Sequence, residues 1–180
     1  MIIRPATPHD ARAIAEVHVS SWRTTYVGQF PHALLDQLSV PQRESMWERL
    51  LNDLSHRTFV AKKAGGIVGF SDAGPSRDQD SAPYVGELYT IYLIEEHKGR
   101  SIGKALWMHN HDALRELGYT EVTLWVLDTN LRAREFYEKL GFKPDGARKR
   151  DTFDRQELTE VRYRRRVGEP LRYHHESLSG

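Results

Sequence analysis

The stretch of sequence that constrains the fold most is residues 91–106, which read IYLIEEHKGRSIGKAL. It begins with an apolar run that ends at Leu93, continues through a charged turn containing glycine, and passes into a helical pattern near Ser101. The first N–H groups of a helix have no partner inside the helix and carry a partial positive charge. A strand that leads into a helix through such a turn is therefore a place where an anion can bind.

Small residues occupy the positions where a phosphate would have to approach the main chain. These are Gly99, Ser101 and Gly103, and the neighbouring Arg100 and Lys104 add positive charge at the rim. The sequence therefore predicts a turn that binds a diphosphate.

Three interpretations of this turn remain open at the level of the residues. The glycines could serve only a tight connection, or the unit could belong to a dinucleotide-binding fold, because Asp128 ends the next predicted strand where a ribose-binding acid would stand. Only two of the three dinucleotide glycines are present, and the Ser or Thr that closes a nucleoside-triphosphate loop is absent after Lys104. The third interpretation is a coenzyme A pyrophosphate site.

Outward from this turn, the pattern predicts one domain over residues 1–167 and a polar tail over 168–180. Predicted strands cover residues 2–6, 57–63, 67–73, 84–93, 120–127, 142–147 and 157–164. Predicted helices cover residues 8–26, 31–38, 42–54, 101–117 and 130–140, with a polar loop over 74–83.

Composition excludes several classes of function. The 180 residues are 39% hydrophobic and carry a formal net charge of +1, so the protein has no general positive field that would attract nucleic acid. No run of apolar residues is long enough to span a membrane. The absence of cysteine excludes disulfides, thiolate metal sites and a cysteine acyl-enzyme. His109 and His111 face different sides of a helix, so we predict no metal site. With no export leader in the sequence, the cytoplasm is the expected compartment.

A second motif follows at residues 130–142, NLRAREFYEKLGF. It resembles the pattern Asn-x-x-Ala-x-x-Phe-Tyr-x-x-x-Gly-Phe of the GNAT (GCN5-related) N-acetyltransferases. Residues 98–103 are similar to that family's Gln/Arg-x-x-Gly-x-Gly/Ala motif, with Lys98 in the Gln/Arg position and Ser101 in place of the first glycine. From the residues alone, this helix is also explained as a buried apolar stripe.

The resemblance implies a mixed α/β fold in which helices flank a mostly antiparallel central sheet. It also implies a splay between two parallel strands, here 84–93 and 120–127. The implied activity is transfer of an acetyl group from acetyl-CoA, the co-substrate, to a primary amine on a small molecule or a polypeptide. The resemblance is compatible with a homodimer and implies neither a nucleic-acid partner nor a membrane.

The resemblance also implies roles for particular residues. Main-chain groups of one strand would hold the pantetheine arm, the turn would hold the diphosphate, and Asn130 would bond the arm, unless it serves only as a helix cap. The implied coenzyme-binding residues are Ile91, Tyr92, Leu93, Lys98, Gly99, Arg100, Ser101, Ile102, Gly103, Lys104, Asn130 and Tyr137.

Acyl transfer to an amine needs a group that removes the amine's proton and one that protonates the departing thiolate. A phenol suits the second task, and the resemblance assigns it to Tyr137. For the first we predict Glu87, through water where necessary, with Tyr89 or a water held by strand backbone as alternatives. Without cysteine, direct attack in a ternary complex is the expected course.

Three questions stay open at this stage. Trp22, Tyr26 and Trp47 line an acceptor pocket or pack in the core. The arginines at 162 and 164–166 are expected mostly in solvent. The rival functions are a non-catalytic acetyl-CoA sensor and, less favoured, a dinucleotide-dependent oxidoreductase.

Overall fold

The structure, a computed structural model, describes residues 1–153 and 156–168. The described strands are β1 (Ile2–Pro5), β2 (Arg57–Lys63), β3 (Gly66–Pro75), β4 (Val85–Leu93), β5 (Glu121–Leu127), β6 (Lys143–Phe153) and β7 (Gln156–Arg166). The described helices are α1 (Ala11–Thr25), α2 (His32–Asp36), α3 (Val40–Leu50), α4 (Ile102–Glu116) and α5 (Leu131–Lys139). Short 3₁₀ turns stand at Pro8–Asp10 and Glu95–His97.

All seven strands form one sheet in the order β1-β2-β3-β4-β5-β7-β6. Every neighbouring pair is antiparallel except β4 and β5. These two pair from Val85 opposite Glu121 only as far as Glu87 opposite Thr123, although β4 continues to Leu93. The predicted mixed fold and the splay between parallel strands are therefore confirmed, and a doubly wound dinucleotide-binding sheet is not what these strands build.

Helices cover both faces of the sheet. On one face α1 and α3 pack around Ile14, Trp47 and Phe70. On the other face α4 packs against β2, β3 and β4, and α5 joins it in the cluster around Trp107 and Tyr163. The splay therefore opens inside the molecule, between two layers of helix.

Element ends follow local chemistry. Ser39 caps α3 by accepting a hydrogen bond from the Gln42 N–H, so α3 begins at Val40, before Pro41. The sequence had predicted a start after Pro41. β6 extends beyond its predicted end at residue 147, because the ladder with β7 is irregular between Pro144 and Arg148 and then resumes up to Phe153. The predicted end at residue 147 falls at this irregularity, whereas the continuation of the strand depends on its pairing with β7.

Within the described residues, no helix combines the length and the apolar character needed to cross a membrane. Residues 169–180, most of the predicted polar tail, lie outside the described residues.

Candidate active site

A cavity of about 720 Å³ occupies the splay between β4 and β5. Its wall includes the second half of β4, the turn before α4, the first turns of α5, the end of α1 and parts of β5, β6 and β7. It brings together most of the residues predicted for the coenzyme site.

The turn before α4 has the form expected of an anion site. The first hydrogen bond of the helix runs from the Ala105 N–H to the Ser101 carbonyl at 3.0 Å, so the N–H groups of residues 102–104 precede the helical ladder. Gly99, Ser101, Gly103 and Lys104 line the cavity. Main-chain donors at a helix start are therefore presented to it.

Two of the predicted diphosphate residues do not present side chains to the cavity. The Arg100 side chain is exposed to solvent, and Ile102 is buried in the core with Leu106. Neither residue lines the cavity, so only their main-chain groups could contribute to an anion site at this turn.

Backbone conformation explains part of the turn. Gly99 has φ of 76° and Ser101 has φ of 61°, both in the left-handed region. Serine occupies this region at a cost that glycine avoids, so the serine that replaces the family's glycine leaves the turn strained.

Gly103 is needed for a second reason besides access to the main chain. A Cβ placed on it would come within 3.1 Å of the Phe136 ring of α5. The missing side chain therefore lets α5 pack closely on α4, which brings Tyr137 toward the turn.

Lys98 lines the cavity and is anchored on both sides. Its Nζ donates to Thr25 Oγ1 at 3.0 Å and to Glu95 Oε2 at 2.5 Å, while Arg132 of α5 also pairs with Glu95 at 3.1 Å. The lysine thus joins the end of α1 to the turn, a link that the sequence did not predict.

Tyr137 lies in the cavity wall, with its ring edge-on to Phe136 and Phe142. Burial, and then the neighbouring Tyr92, raise the pKa of Tyr137 above its ordinary value. The phenol therefore keeps its proton near neutral pH, as a proton donor requires. Asn130 also lines the cavity and caps α5, accepting from the Ala133 N–H at 3.1 Å.

Residues 91–93 of β4 also lie in the cavity wall. Just before them the pairing with β3 shifts, because Ala73 stands opposite Leu88 and Asp72 stands opposite Thr90. Tyr89 is the extra residue of this β-bulge, and it bends the strand where the splay begins. Ser21 of α1, which sequence reasoning missed, donates to the Leu93 carbonyl at 2.7 Å.

Glu87, the last residue of β4 that pairs with β5, is fully buried and lies outside the cavity wall. Its carboxylate accepts from the Arg77 N–H at 2.9 Å and from the Arg77 guanidinium at 2.5 Å. The structure does not bring it into direct reach of an amine in the cavity. The alternative, Tyr89, lines the cavity, but its hydroxyl donates to the Pro75 carbonyl, and burial raises its pKa.

An aromatic wall stands at the end of α1. Trp22, Tyr26 and Phe30 contact one another with ring centroids 5.0 to 5.8 Å apart, and all three line the cavity. Trp47, in contrast, is core, and its Nε1–H donates to Nδ1 of buried His18 at 3.1 Å. From the sequence, Trp22, Tyr26 and Trp47 could each have lined a pocket or packed in the core, and Phe30 was not predicted at all.

A buried ionic network supports the opposite wall. Asp78 accepts from Trp125 Nε1 at 3.0 Å, from Lys149 Nζ at 2.9 Å and from Arg162 at 3.0 Å. Burial opposes the ionisation of Asp78, but these donors outweigh it and hold its pKa below the usual value. Trp125 and Lys149 line the cavity, and the lysine lies 3.8 Å over the indole ring.

The expectation that the C-terminal arginines lie mostly in solvent is wrong for Arg162 and Arg165, which are buried. Arg162 is buried because Asp78, Asp80 and Asp145 neutralise it. Those acids lie far away along the chain, so strand alternation gave no sign of them. In the described part of the chain, no three His, Asp or Glu side chains converge as metal ligands would.

Comparison with known proteins shows which protein family the chain belongs to. Residues 18–142 match the model of the acetyltransferase (GNAT) family, and the chain belongs to that family. It is 37% identical over 130 residues to the uncharacterized N-acetyltransferase YuaI of Bacillus subtilis, covering 71% of this chain and 72% of the relative.

Two further relatives show how broad the likeness is. The spermidine N(1)-acetyltransferase of Thermoplasma acidophilum is 26% identical, with 78% of this chain and 87% of that protein covered. The crystal structure of the PaiA N-acetyltransferase of the same organism, in complex with coenzyme A, superposes with a TM-score of 0.68 at 25% identity. It covers 88% of this chain and 96% of that chain.

Proposed function

We propose that this protein transfers an acetyl group from acetyl-CoA to a primary amine by direct attack in a ternary complex. The observation that carries the proposal is that one cavity joins a helix N-terminus, an open strand edge and the Tyr137 phenol. An aromatic wall at the end of α1 lines the same cavity, so both substrates have a place in it.

The residues present fit coenzyme A. The N–H groups of residues 102–104 would hold the diphosphate, and the β4 main chain at residues 91–93 would align with the peptide-like pantetheine arm. Asn130 uses its side-chain oxygen to cap α5, which leaves its amide N–H₂ as a donor that can serve the arm. The helix cap and the coenzyme contact therefore coexist in one side chain.

Tyr137 supplies the proton for the departing sulfur. A thiol has a pKa near 8.5, so a phenol whose pKa is raised by burial remains protonated until the thiolate forms beside it. The neutral amine nitrogen attacks the thioester carbonyl, the carbon–sulfur bond breaks, and the phenolic proton passes to the sulfur. The nitrogen gives up one proton to water as the amide forms. The phenol regains a proton from solvent after the products leave.

The role predicted for Glu87 remains a proposal, in a narrower form. Because Arg77 occupies both carboxylate oxygens, Glu87 would act on the amine only through an intervening water. Glu87 would also have a structural role, because its bonds to Arg77 hold the loop that carries Asp78. Asp78 in turn holds Trp125 and Lys149 in the cavity wall.

The relatives include by name a spermidine N(1)-acetyltransferase and a mycothiol acetyltransferase. Their names support an amine acceptor as a class, and we propose no single compound from them. The sensor hypothesis keeps the same coenzyme site and differs only in lacking turnover.

Tyr137→Phe tests the proposal. The variant lacks the proton donor but keeps the ring, so kcat for acetylation should fall by about 10²- to 10⁴-fold while the Kd for acetyl-CoA stays within about twofold. Release of free CoA, with a panel of primary amines, gives the rate, and calorimetry gives the Kd.

Tyr84→Phe is the matched control, since Tyr84 is exposed and outside the cavity, and it should behave as the native protein. Full turnover by Tyr137→Phe would refute the proton-donor role. Tight acetyl-CoA binding without acetylation of any amine would favour the sensor.

A further inference from the structure

The charged side chains of the cavity do not suit a polyamine. Among the cavity-lining residues in the described ranges, Glu160 is the single acidic side chain, and it already interacts within the protein. The lining cations are Lys98, Lys104, Arg132, Lys139 and Lys149. A polycation needs several carboxylates to replace its hydration, and these residues do not supply them. Ion pairs are therefore not the main means by which this wall would hold an acceptor.

The polar atoms of the acceptor wall are directed to the protein rather than to the cavity. Trp125 Nε1 donates to Asp78 at 3.0 Å. The Tyr89 hydroxyl donates to the Pro75 carbonyl at 2.6 Å. The Nε1 atom of Trp22 is buried, although its ring lines the cavity. These three rings therefore present mainly carbon atoms to a ligand.

The aromatic wall at the end of α1 is anchored at two points. Ser21 donates to the Leu93 carbonyl of β4 at 2.7 Å. One turn further on, Thr25 accepts from Lys98 Nζ at 3.0 Å. Trp22 directly follows the first anchor, and the tyrosine of the wall directly follows the second. The wall is therefore preformed, and a ligand that binds to it orders few side chains.

A series of ring contacts joins this wall to the strand proposed for the pantetheine arm. Tyr92 of β4 stacks on His18 with ring centroids 5.2 Å apart, and the His18 ring lies 5.8 Å from that of Trp22. Trp22 and Tyr26 are one helical turn apart, with centroids separated by 5.0 Å. The wall therefore begins beside residues 91–93, along which the arm is proposed to lie.

A wall of this kind favours a flat apolar group. A phenyl ring buried against aromatic side chains gains from the area removed from water and from the preferred stacked or edge-on contacts between rings. A short alkyl chain gains much less, and a polycation gains neither. An amine on a short chain can reach the thioester while its ring stays on the wall.

We propose that the acceptors are arylalkylamines, primary amines whose aromatic ring lies against Trp22 and Tyr26. The proposal rests on the amine acetyltransferase function above and names its substrate class. It assigns recognition to the body of the acceptor, so the attacking nitrogen stays free to lose its proton.

The first test uses the native protein saturated with acetyl-CoA, with release of free CoA as the assay. The probes are 2-phenylethylamine, ethylamine, which has the same chain without the ring, and spermidine. The kcat/KM for 2-phenylethylamine should exceed that for each of the other two by about tenfold or more, because only this probe buries a phenyl group. The value for 2-cyclohexylethylamine, which is apolar but not aromatic, should fall between those for 2-phenylethylamine and ethylamine.

Trp22→Leu tests whether the wall causes this preference. The KM for 2-phenylethylamine should rise about tenfold, while the KM for ethylamine and the Kd for acetyl-CoA change by no more than about twofold. Tyr84→Leu is the matched control, because Tyr84 is exposed and lies outside the cavity wall. Thermal unfolding shows whether the variants are folded, and Tyr26→Leu takes the place of Trp22→Leu if that variant is not.

Each result decides a different statement. If the native protein acetylates ethylamine or spermidine as well as it acetylates 2-phenylethylamine, the arylalkylamine assignment is refuted and the proposed function stands. If the preference exists but the loss of the ring leaves it unchanged, the role of the wall is refuted. If the native protein acetylates no amine in a broad panel, the proposed function fails and the acceptor assignment fails with it.

Discussion

The two ends of the cavity are built in different ways. The end proposed for the coenzyme has main-chain groups at the start of α4 and along β4, all within residues 91–104, with Asn130 and Tyr137 added from α5. The end proposed for the acceptor has side chains from the end of α1, the loop after β3 and the three strands β5, β6 and β7. The first is local in sequence, and the second depends on contacts between residues up to 84 positions apart.

This difference separates a fixed ligand from a variable one. Main-chain donors recognise a diphosphate with little dependence on side-chain identity, so a short motif suffices and can be recognised in one sequence. At the other end side chains would choose the acceptor, so the same fold could accept different amines when those side chains change. Asp78→Ala and Ser101→Gly would show whether the two ends are as separable as this comparison suggests, and His18→Gln probes the packing behind Tyr92, where they meet.

Asp78→Ala is expected to have the largest effect. It removes the acid that Trp125, Lys149 and Arg162 share and leaves the buried Arg162 short of a partner, so the free energy of unfolding should fall by about 3 kcal/mol. The KM for the amine should rise while the Kd for acetyl-CoA stays constant, because only the acceptor wall is supported by Asp78. Urea unfolding and steady-state kinetics measure the two effects.

Asp80→Ala is the matched control, since Asp80 also pairs with Arg162 but its side chain is 68% exposed. Its loss of stability should be much smaller. An equal loss from the two variants, or a parallel loss of acetyl-CoA affinity in Asp78→Ala, would show that the two ends are not separable.

His18→Gln probes the place where the two ends meet, because His18 is buried and stacks on Tyr92 at 5.2 Å. Burial, and then the charge of Arg43, lower the pKa of His18 to about 3. Below pH 6.5 the unfolded chain therefore binds a proton that the folded protein does not. The free energy of unfolding should fall by about 2 kcal/mol between pH 7 and pH 5 through this residue alone.

In His18→Gln this part of the fall in the free energy of unfolding between pH 7 and pH 5 should be absent. Urea unfolding at the two pH values measures it. His9→Gln, at an exposed position in the turn before α1, should retain it. If both variants keep the native pH dependence, His18 does not stay neutral in the folded protein.

Ser101→Gly is expected to have the smallest effect and to act at the coenzyme end alone. Glycine adopts φ of 61° without the strain that serine carries, so the protein should gain about 1 kcal/mol of stability, with acetyl-CoA affinity equal or higher. Ser101→Ala keeps the strain and should gain nothing by thermal unfolding. A change in amine KM with Ser101→Gly would contradict the separation.

The parts of the fold and site that could be predicted are those with local causes. Gly99, the helix after it and the motif at residues 130–142 carry their own geometry, and the splay followed from resemblance to the family. The pairing of Glu87 with Arg77 and the burial of Arg162 could not be predicted, because each depends on a partner brought in by the sheet. Phe30 was missed for the same reason, since its place in the wall depends on ring contacts that include those with Trp22 and Tyr26.

The bulge at Tyr89 has a consequence for the phase of β4. In a regular strand, Leu88 and Tyr92 would project from the same face, yet Leu88 packs beneath α4 and Tyr92 packs beside α1. The extra residue therefore keeps Ile91 on the same side as Leu88, toward α4, while Tyr92 faces α1. Deleting Tyr89 would restore regular alternation with Leu88 and Tyr92 still on opposite faces, so the strand beyond it would keep its two sides and lose only the bend that opens the splay.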